Sequence, residues 1–176
     1  MKLRKLAAGL LTAAALCVTS LSANATTGPV YSCIQKNLTD FPGTIVDAAV
    51  ATPELSTLVE LVTAAGLANA LATAQDITVY APTNAAFAKV DPTVLSAIGG
   101  NPAVLSAVLT YHVTPSLEDP RRWSQPKVRP TLQGQQVFIF HSGHYARVNG
   151  AKVNCQGVKT TNGIVWLIDS VLLPQF

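Results

Sequence analysis

Acidic side chains are scarce in this chain: nine Asp and Glu among 176 residues, with 12% charged residues overall. Most stand in turns or at helix starts, so no pair of carboxylates can be placed for general acid–base work. Histidine is rarer still, with three in all. His141 and His144 flank Ser142-Gly143 at an expected hairpin tip. A metal centre needs three or four ligands of defined geometry, and no Asp, Glu or Cys lies near this pair in sequence. They read as solvated turn residues. There is no Gly-x-Ser-x-Gly elbow, no His-Glu-x-x-His pair, no phosphate loop and no Gly-x-Gly-x-x-Gly after a strand. The residues offer no catalytic machinery, and no cofactor is expected.

Long apolar runs are missing apart from one at the start. Lys2, Arg4 and Lys5 precede the apolar stretch Leu6 to Val18, and Ala23-Asn24-Ala25 follows as a small-residue cleavage site. This is the pattern of a secretory signal peptide over residues 1–25, giving a mature chain from Thr26. The run is too short and Ala-rich for a membrane span. Cys17 follows Leu16, where a lipoprotein signal wants a small residue, so it is expected to leave with the signal. The remaining 151 residues suit one domain, with 26–43 as an N-terminal segment before it.

Net charge is missing too once the signal is removed. The full chain carries 12 basic and nine acidic residues, but three of the basic ones lie in the signal, so the mature chain is neutral. A neutral domain lacks the overall electrostatic footprint of a nucleic-acid binder. Two cysteines survive, Cys33 and Cys155. In an exported protein they favour a disulfide that would tie the N-terminal segment to the last strands, against the alternative of two free thiols or a mixed disulfide.

The remaining pattern is rich in helix punctuation. Thr44-Ile45-Val46-Asp47 opens a helix with an acid in its first turn, and Thr52-Pro53-Glu54 restarts it. Leu55, Leu58, Val59 and Val62 recur at helical spacing until Gly66, and Leu67 to Thr73 adds a short helix. Ile77-Thr78-Val79-Tyr80 is a strand stopped at Pro82, with Thr83 or Asn84 capping a helix that carries Phe87 and Val90. Asp91-Pro92 and Asn101-Pro102 begin two more, the second leading into the apolar run Ala103 to Leu109. After Tyr111 the period changes. Gln136 to His141 is a strand, and Asn149-Gly150 and Asn162-Gly163 both read as two-residue hairpin turns. Helices in the first half and hairpins in the second argue an α+β fold.

The wording of three segments is also that of a family. Thr78-Val79-Tyr80-Ala81-Pro82-Thr83-Asn84-Ala85-Ala86-Phe87 resembles the first signature box of fasciclin (FAS1) domains. Tyr111-His112-Val113 matches the Tyr-His element between the family's two boxes, and Asn162 to Pro174 looks like the second box. Their order and spacing agree with one FAS1 domain over residues 44–174. Trp166 stands where many members have a His, and Pro115 to Pro130 fits the family poorly. The resemblance implies a twisted antiparallel β-wedge with small helices packed along it. The cysteine placement resembles that of secreted mycobacterial fasciclin-domain antigens, which supports the disulfide.

Family members are associated with adhesion, so the resemblance implies a secreted binding module meeting an extracellular protein or glycan. Tyr111 and His112 belong to an adhesion epitope in animal members, although a His after a buried helix ordinarily satisfies a local carbonyl. Arg121, Arg122, Trp123, Lys127 and Arg129 crowd a proline-bounded loop, and Arg and Trp are common at binding hot spots. The bland alternative is a loop pinned by Trp123 with its charges in water. Either way, changing Arg121 and Arg122 is expected to leave stability nearly intact. The rival function is a carrier of a hydrophobic small molecule, since some fasciclin-domain proteins bind carotenoids. That role requires an apolar groove with a few orienting polar groups, lined here by Trp123 or Tyr145. Asn37-Leu38-Thr39 fits the glycosylation acceptor pattern, although the Ala-rich signal looks bacterial.

Overall fold

The computed structural model describes Cys33 and residues 36–122, 125–142 and 145–176. The expected signal peptide over residues 1–25, Trp123 and His144 lie outside the described residues.

Polar caps set the helix starts. α1 (Ile45–Val50) begins at Thr44, whose Oγ1 accepts from Asp47 N–H while the Asp47 carboxylate accepts from Thr44 N–H. This reciprocal pairing satisfies two otherwise orphaned donors. A 3-10 turn, Pro53–Leu55, leads into α2 (Ser56–Ala64). Thr52 does not cap it; its hydroxyl instead donates to the Ala48 carbonyl. Gly66, at φ 68°, ends the run in the left-handed region, and α3 (Ala68–Thr73) follows. α4 (Asn84–Phe87), α5 (Pro92–Gly99) and α6 (Pro102–Tyr111) are capped by Thr83, Asp91 and Asn101. Asn84, relieved of capping, accepts from Thr57 N–H and donates to Pro53 O and Ser56 Oγ, fastening α4 to α2.

Among the described residues eight strands form one curled sheet: β1 (Thr39–Asp40), β2 (Ile77–Pro82), β3 (Val113–Thr114), β4 (Lys127–Pro130), β5 (Gln136–Ser142), β6 (Tyr145–Val148), β7 (Ala151–Lys159) and β8 (Gly163–Ile168). Their order is β3-β2-β8-β7-β6-β5-β4, with β1 beside β7. The wedge is largely antiparallel, but β2 runs parallel to β8 and β1 parallel to β7. Its two edges are drawn together. Leu132, just past β4, donates its N–H to Val113 O of β3, and Arg129 of β4 pairs with buried Glu118 beyond β3. One core lies between the helices and β2/β8, around Leu55, Leu58, Val79 and Val108. A second fills the concave side, around Trp166, Tyr80, Val137, Ile139 and Val148.

One of the two expected Asn-Gly turns holds. Asn149 and Gly150 have φ of 47° and 90°, joining β6 to β7 as a two-residue hairpin. β7 and β8 do form the second expected hairpin, with Thr160 N–H donating to Gly163 O, but Asn162 and Gly163 lack the positive φ of such a turn. Asn162 is buried: its Oδ1 accepts from Ile45 N–H and its Nδ2 donates to Leu71 O and Ala74 O, tying α1 and α3 to the sheet. Gly163 already belongs to β8, where a Cβ would stand 2.1 Å from Ile77 O of the adjacent strand. The glycine serves close strand approach rather than turn geometry.

Cys33 and Cys155 form a disulfide across 122 residues, with Cα atoms 5.0 Å apart. In the chain-entropy account, closing a loop of that length constrains the unfolded chain by roughly 4–5 kcal/mol.

Candidate interaction face

The four strands β4 to β7 alternate sides as a half-buried sheet must. Val137, Ile139, Ala146, Val148, Ala151 and Val153 point inward and are buried. The residues between them form the outer face: Val128, Phe138, Phe140, Tyr145, Arg147, Lys152 and Asn154. Phe138 is 55% exposed, and its cross-strand partner Val128 is exposed beside it. Phe140 pairs with Arg147, and Arg147 in turn with Lys152. Like charges directly opposite each other cost roughly 0.2–1 kcal/mol relative to a neutral pair. Lys152 Nζ lies 3.4 Å from the centre of the Tyr145 ring, held by a cation–π contact.

Next to that contact is a cleft of about 340 Å3, lined among others by Thr83, Tyr145, Lys152, Asn154, Leu167 and Asp169. Burial pushes the Asp169 carboxyl up. Hydrogen bonds from Lys152 N–H and Ser170 Oγ, with the charges of Lys89 and Arg147, outweigh it and hold the group below its ordinary value. Lys89 Nζ stands 3.7 Å from Asp169 Oδ2 and donates to the Asp169 carbonyl. Asp169, the one acid lining this cleft among the described residues, is therefore already hydrogen-bonded and ion-paired.

The total charge of +3 conceals a division that composition alone did not reveal. From residue 120 to 168 the sequence holds seven Lys and Arg and no acid, whereas eight of the nine acids precede residue 120. The signal was available in the charge order along the chain, not in its total.

The basic loop is built differently from the expectation. Arg121 is 2% exposed, so it is not a surface contact residue. Its Nη1 donates to Cys33 O, Lys36 O and Cys155 O, its Nε and Nη2 pair with Asp119, and its guanidinium lies 4.7 Å from the Trp166 ring centre. The arginine is the hub that joins the disulfide, β7 and the 3-10 turn Pro120–Arg122. Arg122 is exposed and pairs with Asp119. Arg129 binds Glu118 between the sheet edges, and Lys127 is half-buried on β4. Trp123 lies outside the described residues.

Tyr111 and His112 are buried as well, and the folded chain does not present them to a partner. Tyr111 donates its hydroxyl to Gln136 O and accepts from Asn149 Nδ2, linking α6 to the hairpin. His112 accepts from Leu172 N–H at Nε2, so Nδ1 carries the proton and donates to Val108 O at 2.8 Å. Burial pushes its pKa down to about 4, against the upward pull of the Val108 bond. The unfolded histidine takes up its proton near pH 6.5 and the folded one only near 4. The stability it contributes is thus complete above pH 6.5 and lost as pH falls through about 4. The loss should reach about 3 kcal/mol, measured by urea unfolding at pH 7.5 and 4. A His112 ring titrating near 6.5 by NMR in the folded protein would refute this.

An apolar cavity of about 40 Å3 lies between α1, α2 and the sheet, lined by residues such as Ile45, Leu58, Val62, Val79 and Val113. Small-molecule sites usually measure about 300–1,000 Å3. Among the described residues no group of three or more His, Cys, Asp or Glu is placed to hold a metal. No single described helix is long and apolar enough to cross a membrane.

A curled sheet with parallel β2/β8, helices along one side and an Asn-anchored final strand defines a FAS1-type α+β wedge. The Fasciclin domain family profile matches residues 53–174, and the chain belongs to the fasciclin family. It is 39% identical over 132 residues to the immunogenic protein MPB70 of Mycobacterium bovis, covering 72% of this chain and 67% of that one. Over 99 residues it is 37% identical to the cell surface glycolipoprotein MPB83 of the same species, covering 56% of this chain and 44% of the relative. Human periostin is 34% identical over 152 residues, which span 86% of this chain but 18% of periostin. A FAS1 domain pair from the insect cell adhesion molecule fasciclin I superposes with a TM-score of 0.60 at 17% identity, covering 76% of this chain. This chain spans about half of that pair, 52% of its length.

Proposed function

We propose that this protein is an extracytoplasmic, non-catalytic adhesion module that uses the outer face of β4–β7 to meet a cell-surface or matrix partner. The observation that carries the reading is the rigid sheet face itself. Phe138 and Val128 stand exposed together there, with Phe140 two residues further along β5 and Arg147 and Lys152 across from it, while the opposite side of the same strands is core. Aromatic and Arg side chains on a fixed scaffold are the usual anchors of an interface. Relatives named as a cell surface protein and a cell adhesion molecule support the class, and the disulfide suits an oxidising compartment. The carrier reading has less support: the apolar cavity measures only 40 Å3, and the 340 Å3 cleft that Tyr145 lines is open and carries the charged groups of Lys152 and Asp169.

The test is retention of host cells on surfaces coated with purified protein. Phe138→Ser combined with Val128→Ser should abolish retention while leaving the melting temperature within a few degrees. Unchanged retention by that folded variant would sink the proposed face.

A further inference from the structure

We infer that the cleft beside Tyr145 and Lys152 binds one ring of an acidic polysaccharide, a uronate or sulfated sugar, and that Lys152 receives its anionic group with the charge of Arg147, opposite it on β6, in support. The inference rests on the adhesive reading of the β4–β7 face and specifies its partner.

Charge is the first argument. Of the seven cations between residues 120 and 168, Arg121 and Arg122 are paired with Asp119 and Arg129 with Glu118. Arg147 and Lys152 are different. They sit opposite each other on adjacent strands, and neither has a carboxylate partner in an ion pair among the described residues. Arg147 Nη1 donates to Gly150 O, but its buried Nε has no hydrogen-bond partner. A cross-strand pair of like charges is a repulsion that a bound anion would relieve.

The shape argues for a sugar over other anions. The 340 Å3 cleft is open to solvent and large enough for a single ring with its substituents, not for a bilayer surface. Tyr145 supplies an aromatic surface, and the Asn154 amide and Thr83 hydroxyl supply neutral hydrogen-bonding groups for ring hydroxyls. An extended acidic peptide would dock by adding a strand to an open sheet edge. Here the β6–β7 ladder ends at the Arg147↔Lys152 pair, leaving only Tyr145 and Ala146 of β6 beyond it, too few residues to receive a docked strand. Asp169 opposes an incoming anion less than a free carboxylate would, because Lys89 partly offsets its charge and the Lys152 N–H engages one of its oxygens.

The experiment is biolayer interferometry on the disulfide-intact protein with three probes: alginate as polyuronate, neutral dextran, and poly-L-glutamate as acidic polypeptide. Alginate should bind, dextran should not, and poly-L-glutamate should bind at least tenfold more weakly. Binding should weaken as salt rises. Lys152→Gln with Arg147→Gln should cut alginate affinity at least tenfold, and Lys152→Arg should restore part of it in the Arg147 background. Lys159→Gln, away from the cleft, should change it less than twofold. Equal binding of poly-L-glutamate, or wild-type affinity in the folded double variant, would overturn the proposal. The adhesion assay separates the two readings. Cell retention without alginate binding overturns the glycan assignment alone, whereas alginate binding without retention overturns adhesion and leaves the cleft standing.

Discussion

Arg121→Ala is expected to lower the unfolding free energy by about 3–5 kcal/mol, the largest loss from any single polar side chain here. The guanidinium is buried and satisfies three backbone carbonyls from distant parts of the chain, those of Cys33, Lys36 and Cys155. Truncation would leave those acceptors without their donor and remove a bidentate partner from Asp119. It would also open space against Trp166. Arg122→Ala, whose side chain is 70% exposed, should cost no more than about 1 kcal/mol. Urea unfolding of the two single variants distinguishes the roles. Equal, small losses would return Arg121 to the surface role that its loop context suggested.

Gly163→Ala is expected to be comparably damaging, above about 3 kcal/mol, at the upper end of overpacking effects. A methyl group there would meet Ile77 O at 2.1 Å and Ile45 Cδ1 at 2.7 Å. The first obstacle is backbone in a paired strand, so relief requires β2 and β8 to separate where the parallel ladder begins. Gly99→Ala is the matched control: nothing lies within 4 Å of its added Cβ, and the change should be neutral or mildly stabilising. Thermal unfolding of both variants is sufficient. Native stability in Gly163→Ala would mean that the two strands do not pair in this register.

Local chemistry made much of the fold legible. Thr44 with Asp47, Asp91 and Asn101 before prolines, and Gly66 at positive φ each act within a few residues of themselves, so their types foretold their places. The Asn149-Gly150 hairpin was legible for the same reason. The identical dipeptide at 162–163 misled because its role is set by groups far away in sequence: Ile45, Leu71 and Ile77. Arg121 misled likewise, since whether an arginine meets water or carbonyls depends on which distant backbone arrives beside it. The candidate face was hidden for another reason. Phe138 and Phe140 alternate with Val137 and Ile139, and a strand this uniformly apolar does not announce which side is wet. The pairing of Arg147 with Lys152 required the hairpin register, although the acid-free stretch around them was countable from the start.

The parallel pairing of β2 with β8 also bears on timing. The middle of the sheet cannot close until residues 163–168 are available to residues 77–82, and the covalent tie at Cys33 must wait for Cys155. Such non-local pairings place a domain among the slower folders, in the millisecond-to-second range rather than microseconds. A growing or threading chain therefore stays open until nearly all of it has emerged.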